Sequence, residues 1–142
     1  MISFAVLAEL AEAHADGQEV VLWCPQHALT PEQSSELDGF HIAKLADVDP
    51  GLFAALANCP ADIGQLENLA DELCQILPVV DRVVLPIGSP LFQAILATKL
   101  VGWGGLVGFA HSVRESMDQT QPDGSVRKMA VFRHVKFLWR RF

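Results

Sequence analysis

Metal-ligand spacing is missing from this chain. Its three cysteines, Cys24, Cys59 and Cys74, are odd in number and fall in no CxxC or Cys/His pattern. Free buried thiols in a reducing cytoplasm are the expectation, with no disulfide framework and no zinc site. The five histidines, His14, His27, His41, His111 and His134, form no HExxH or similar spacing, so no metal and no cofactor is expected. Neither GxxxxGK[ST] nor GxGxxG occurs, which removes the two familiar phosphate-cradling loops. No apolar run reaches the ~18–20 residues that span a bilayer, and no membrane partner is expected. The opening ISFAVLAELAEAHADG carries three acids and no basic n-region, unlike a secretory signal. Charged residues make up only 19% of the chain against 51% hydrophobic ones, a composition that folds rather than stays disordered. No internal repeat or low-complexity linker divides it, so residues 1–142 are read as one domain.

What charge there is lies unevenly. Residues 101–142 hold seven Lys/Arg and three Asp/Glu, a net of +4, whereas residues 1–100 hold three Lys/Arg and fourteen Asp/Glu, a net of −11. A basic segment on an acidic chain points to a local site for an anion. The acidic bulk would repel a long polyanion, so duplex DNA is not expected as a partner. The apolar excess hints at a buried subunit interface.

Segment by segment, the pattern is that of a doubly wound α/β domain. Residues 2–15 have helical spacing, with Phe4, Ala5, Leu7, Ala8 and Ala11 as the inward side, and 1–17 forms a leading helix. EVVLWC, residues 19–24, reads as a strand. Thr30 is placed as an N-cap, with Pro31 at the first helical position and Gln33 closing a capping box. Phe40–Leu45 is a second strand candidate, and Asp49-Pro50 opens another helix. Asp62 caps a longer one reaching toward Leu77, with Ile63, Leu66, Leu69, Ala70 and Leu73 inward. RVVLPI, residues 82–87, suits a strand covered on both faces. Gly88-Ser89-Pro90 leads into a helix to Val101, and Leu106–Ala110 is a fourth strand. Residues 112–137 then form a basic C-terminal hairpin about Gln121-Pro122-Asp123-Gly124. Alternation along its second arm is imperfect, and a helix over Met129–Phe142 is the competing reading. The terminal WRRF is either a solvated tail or a subunit contact.

Ligands of open α/β sheets bind at the carboxyl ends of the strands. Two loops qualify, Pro25–Thr30 and Gly88-Ser89-Pro90. In the second, Gly88 allows close backbone approach, Ser89 offers a hydroxyl, and the free N–H groups of the helix start favour a phosphate. A plain capped helix is the other reading. His27 either contacts a ribose or phosphate, acts as a general base, or is a solvent-exposed loop residue. In the hairpin, Arg114, Arg127, Lys128, Arg133, His134 and Lys136 supply cations and donors for phosphate. An edge ribbon kept soluble by Lys and Arg is the alternative.

The stretch HALTPEQ, with LADVDP downstream, and the longer FAHSVRESMDQTQPDGSVRKMAVFRHVKF resemble small accessory proteins of type III CRISPR loci. In those proteins a strand ending in Ser or Thr leads into an Arg-containing hairpin, a PDGSV-like turn and a closing VFRHVRF-like strand. The resemblance implies a CARF-like Rossmann domain with a mainly parallel sheet and a C-terminal β-hairpin. It implies recognition of a cyclic oligoadenylate RNA by a homodimer, and a metal-independent ring nuclease as the activity. A cyclic oligoadenylate sensor or sponge without cleavage is the alternative. Residues carried over by position are His27, Arg133 and His134 as catalytic groups, and Thr30, Ser112, Arg114 and Lys136 as ligand contacts. Gly88 and Ser89 hold the usual ligand-loop position, although a glycine- and acid-rich loop is the family's pattern there.

Overall fold

The computed structural model describes residues 1–142. A five-stranded sheet in the order β2-β1-β3-β4-β5 is its centre. β1 (Val20–Trp23), β2 (His41–Lys44), β3 (Arg82–Val84) and β4 (Leu106–Thr120) run parallel, and β5 (Val126–Arg141) returns antiparallel along all of β4. The fold is therefore α/β, mainly parallel, and ends in a C-terminal β-hairpin. Helices α1 (Phe4–Ala15), α3 (Leu45–Val48), α4 (Pro50–Ala57), α5 (Ile63–Cys74) and α6 (Pro90–Leu100), with a 3-10 turn at Leu77–Val79, pack on one face. That face carries Val20, Leu22, Val83 and Val107 from the strands. The opposite face carries Val21, Trp23, Val84 and Phe137 and is covered only by the short α2 (Pro31–Glu36) and the turn that follows it, through Leu37. Both faces bury apolar side chains, which explains the continuous apolar runs of β1 and β3.

Local chemistry sets the boundaries. Thr30 closes the capping box with Gln33, Asp49 caps α4, Asp62 caps α5 and Ser89 caps α6. β3 ends earlier than RVVLPI implies. Leu85 remains buried, but Pro86 has no N–H to donate, so the ladder stops and Ile87 turns outward. The inward side of α1 also differs from the expected one. Leu10 is its buried residue, with Val6, Ala13 and the expected Leu7 packed on the same core, while Phe4, Ala5, Ala8 and Ala11 are exposed. Ile63 likewise sits exposed at the first turn of α5.

The largest departure is at the carboxyl end. The expected fourth strand and the first hairpin arm are one continuous strand, β4, of 15 residues. The helical reading of Met129–Phe142 and the solvated WRRF tail both give way to β5, in which Trp139, Arg140 and Arg141 pair with Gly108, Val107 and Leu106. Trp139 lies across residue 108, where a Cβ would come 2.5 Å from its ring, so only glycine fits. The register shifts between His111 and Ser112, which pair with Lys136 and His134. Val135 is left over as a β-bulge, and this extra residue is why the alternation of the sequence looks broken. Gln121-Pro122-Asp123-Gly124 forms the turn, closed by Gln121 N–H donating to Ser125 O at 2.7 Å. No helix is long and apolar enough to cross a membrane.

Candidate functional site

The chain leaves β1 toward β2 on one side and comes back to β3 on the other. The loops after β1 and β3 therefore diverge, and a crevice opens at the carboxyl ends of β1 and β3, beside Gly108, Phe109 and Ala110 of β4. It encloses about 130 Å³ between Trp23, His27, Gln33, Ile87, Gln93 and Phe109. An adjoining hollow of about 190 Å³ shares Trp23 and His27 and adds Lys44 and Phe53. Three roomier cavities lie elsewhere, one of about 660 Å³ beneath α1, one of about 550 Å³ at the amino ends of the strands and one of about 390 Å³ between α4 and α5. The charges of the amino-end cavity are already engaged with one another. Arg82 pairs with Glu19 at 3.0 Å, His14 with Asp81 at 3.3 Å, and Arg141 donates to Gly104 O at 2.8 Å. The carboxyl-end crevice holds the unspent groups.

His27 is the most telling of these. Its Nδ1 lies 2.9 Å from the Ala28 carbonyl, which can only accept, so Nδ1 carries the proton. In the neutral ring Nε2 then keeps a free lone pair, and the side chain is exposed. The ring is steadied edge-on against Trp23, centroids 5.5 Å apart, while Trp23 Nε1 donates to His27 O at 3.1 Å. The loop is thus held at both its backbone and its side chain.

Across the crevice, Gly88 adopts φ +138°, a conformation strained for any residue with a Cβ. Ser89 Oγ accepts from Phe92 N–H at 3.2 Å and Thr30 Oγ1 accepts from Gln33 N–H at 3.2 Å. Both hydroxyls act as helix caps, and each keeps its own O–H for donation. Gln93 ties the floor by donating to Pro86 O at 2.7 Å.

The hairpin residues divide between two faces. Ser112, Arg114 and His134 share the face that carries α2, whereas His111, Arg133 and Lys136 share the other. Arg133 and Lys136, three apart, fall on one side because the Val135 bulge lies between them. Arg133 is held by Glu115 at 2.9 Å, and Arg114 stands exposed opposite Phe132. His134 behaves unlike His27. Its side chain is only 4% exposed, Nε2 donates to Glu36 at 2.9 Å, and Nδ1 is buried with no partner. The same Glu36 carboxylate accepts Phe137 N–H at 2.8 Å. This clamp fastens α2 to β5 just beyond the crevice. The structure therefore puts His27 in the wall of the crevice, leaves Thr30, Gly88 and Ser89 outside that wall in the segments that carry its residues Gln33 and Ile87, keeps Ser112, Arg114 and His134 on the α2 face of the ribbon, and sets Arg133 and Lys136 on the other face.

Two participants had been missed. Lys44 is the last residue of β2 and one of only three cations in the first 100 residues, a signal that was available. Glu36 meets His134 across 98 positions, and no local pattern marks it. No three His, Cys, Asp or Glu side chains converge as a metal-ligand set. Cys24 is fully buried, which pushes its thiol well above the usual range and leaves it a core residue.

A family model described as the Uncharacterized protein MJ1673 family matches residues 19–138, beginning after α1 and ending near the close of β5. No curated protein and no solved structure matches the chain.

Proposed function

The chain belongs to the MJ1673 family, and we propose that it is a cytoplasmic ring nuclease that binds a cyclic oligoadenylate at the carboxyl-end crevice and opens it without a metal. The observation that carries this reading is the free Nε2 of His27, fixed by the Ala28 carbonyl at the mouth of a strand-end crevice. The 2′-OH of a bound adenylate attacks the adjacent phosphorus in line. His27 Nε2 takes the hydroxyl proton, the P–O5′ bond breaks, and the 5′-oxygen leaves as a hydroxyl after gaining a proton from water. The products are a 2′,3′-cyclic phosphate and a 5′-OH, with no change in atoms. The Gly88-Ser89 turn and the first N–H groups of α6 face the developing phosphorane charge, with Lys44 and Arg114 as flanking cations. General-base assistance of this kind contributes about 10²–10⁴-fold.

At about 130 Å³ the crevice is smaller than the ~300–1,000 Å³ of common ligand pockets. It takes one phosphate or ribose, and the rest of the ring must lie against another wall. A cyclic oligoadenylate is itself symmetric, so two copies about a two-fold axis would present two crevices to it. A cyclic tetra-adenylate is the first substrate to try. The likeness to small accessory proteins of type III CRISPR loci and their CARF-like domains supports the same reading, with removal of the messenger as the role.

Binding without cleavage, as a sensor or sponge, is favoured by one observation. His134, the other imidazole available as an acid, is clamped to Glu36. Incubation with cyclic tetra- and hexa-adenylate in EDTA, followed by chromatography and mass analysis, separates the two. Linear products ending in 2′,3′-cyclic phosphate, lost in His27→Ala, establish the nuclease. An intact ring that co-elutes with the protein establishes the sponge, and an intact ring that does not bind sinks both.

A further inference from the structure

Two glutamines line the carboxyl-end crevice, and each has one end of its amide committed. Gln33 Oε1 accepts Thr30 N–H at 3.0 Å. Only the oxygen can accept from a backbone N–H, so the free end of that side chain is the amide nitrogen. Gln33 is 4% exposed, yet its Nε2 donates to no group of the chain. The one polar side-chain atom sealed in without a partner is His134 Nδ1, so Gln33 Nε2 is open, and the space it lines is the crevice. Gln93 is the reverse. Its Nε2 is spent on Pro86 O at 2.7 Å, and its Oε1 is left to accept. His27 Nε2 is the third unspent group, an acceptor in the neutral ring. Trp23 Nε1 is already committed to His27 O, and no Lys, Arg, Asp or Glu lines the crevice. One amide donor and two acceptors therefore stand among apolar walls.

We propose that these three groups hold a sugar hydroxyl, and that Gln33 and Gln93 are the residues that tell ribose from deoxyribose. The proposal rests on a nucleotide being the ligand of this crevice, and it decides which part of the nucleotide enters. A phosphate has acceptors only. Placed here it would meet His27 Nε2 and Gln93 Oε1, acceptor against acceptor, with no cation to neutralise it. A hydroxyl donates once and accepts twice, so its O–H serves His27 or Gln93 while its oxygen takes a Gln33 N–H. The 2′-OH is the group of that chemistry that separates RNA from DNA.

Size agrees. A volume of about 130 Å³ is room for roughly four waters at ~30 Å³ each, enough for a five-membered sugar ring. A purine edge also offers a donor beside an acceptor, but Trp23 and His27 stand at 83° to each other and make no parallel pair of faces to hold it. The base then falls to the adjoining hollow with Phe53, and the phosphates stay outside the wall.

The wild-type chain is titrated with cyclic tetra-adenylate and with adenosine 5′-monophosphate, each against its 2′-deoxy counterpart, and followed by NMR of the glutamine side-chain amides. The ribose forms should bind about tenfold tighter, the equivalent of one or two neutral hydrogen bonds. They should also move the Gln33 NH2 signals, which the deoxy forms leave in place. This comparison needs no mutation and stands whether or not a variant folds. Gln33→Glu keeps the bond from Thr30 N–H and exchanges the free donor for an acceptor. Repulsion of phosphate by the new carboxylate lowers both affinities alike, so the ribose preference is the readout, and it should fall toward one. Ribose-selective binding of the mononucleotide without binding of the ring removes the ring nuclease and keeps the sugar site. Equal affinity for ribose and deoxy forms, or a preference that survives Gln33→Glu, overturns the proposal even where the ring binds. Binding of neither ligand sinks both.

Discussion

The parallel body and the distal ribbon are both built from hydrogen-bonded strands, yet they are stabilised in different ways. In the body, β1 and β3 are short, only four and three residues, but almost every side chain on them is buried on one face or the other. In the ribbon the strands are 15 and 16 residues long, and their outer halves bury almost nothing. Strand length and strand stability are therefore unrelated here. Tertiary cover sustains the short strands, whereas the long ones rely on cross-strand pairs and a turn.

The sharpest way to break that contrast is to cut a methyl-rich side chain from each region. Leu73→Ala, at a fully buried position in the last turn of α5, should cost about 2–5 kcal/mol in urea unfolding, as loss of contacts plus a residual cavity. Met129→Ala on the ribbon should stay within about 0.5 kcal/mol. Equal effects would mean that the ribbon folds as part of the core.

The junction between the regions should respond next. Glu36→Ala removes the acceptor of both His134 Nε2–H and Phe137 N–H. Leaving such groups unpaired in a largely buried place costs about 1–3 kcal/mol. Amide exchange at Phe137 should accelerate in the variant, and unchanged exchange would show that the clamp holds nothing.

A smaller effect belongs to the crevice. Ser89→Ala removes the cap of α6 and should lower stability by about 1 kcal/mol. If the Ser89 O–H also reaches the ligand, affinity will fall further than Thr30→Ala, the matching cap on α2, lowers it.

The smallest effect lies at the ribbon's tip. Asp123 accepts from the Ser125 hydroxyl at 2.6 Å and from the Ser125 N–H at 2.9 Å, which holds its carboxyl below the usual range. A depressed folded value means that the contribution is present above the ordinary aspartate pKa near ~3.9 and is lost as pH falls through the folded one. Protection of the turn amides should thus fade only in strongly acidic solution, while the body's amides keep theirs. Asp123→Asn should remove the dependence.

Where the chain signals its structure by neighbouring residues, the sequence was readable. Thr30, Asp62 and Ser89 mark their helix starts, and Pro-Asp-Gly marks the turn, because a cap or a turn is settled within four residues. Features that depend on distant partners were not. The inward side of α1 was read correctly at Leu7 but otherwise misjudged, because Phe4 and the alanines outnumber Leu10 and Val6 and only the docking of the helix decides between them. The single strand from Leu106 to Thr120 was split in two because His111 and Ser112 look like a strand end. At the crevice, the place of His27 could be read from the strand-end rule, while the Glu36 clamp on His134 could not. The two faces of the ribbon were hidden by Val135, which puts Arg133 and Lys136 on one side despite their odd spacing.

That leftover residue sets the angle of the ribbon rather than its sidedness. Deleting Val135 would leave the turn and every cation in place, and His111 with Lys136 and Ser112 with His134 would still pair. Arg133 and Lys136 would then stand two apart in a regular ladder and keep their common face, and His134 would keep Glu36. What the shorter chain would lose is the local bend and added twist of a bulge, so the same ribbon would leave the body in a different direction.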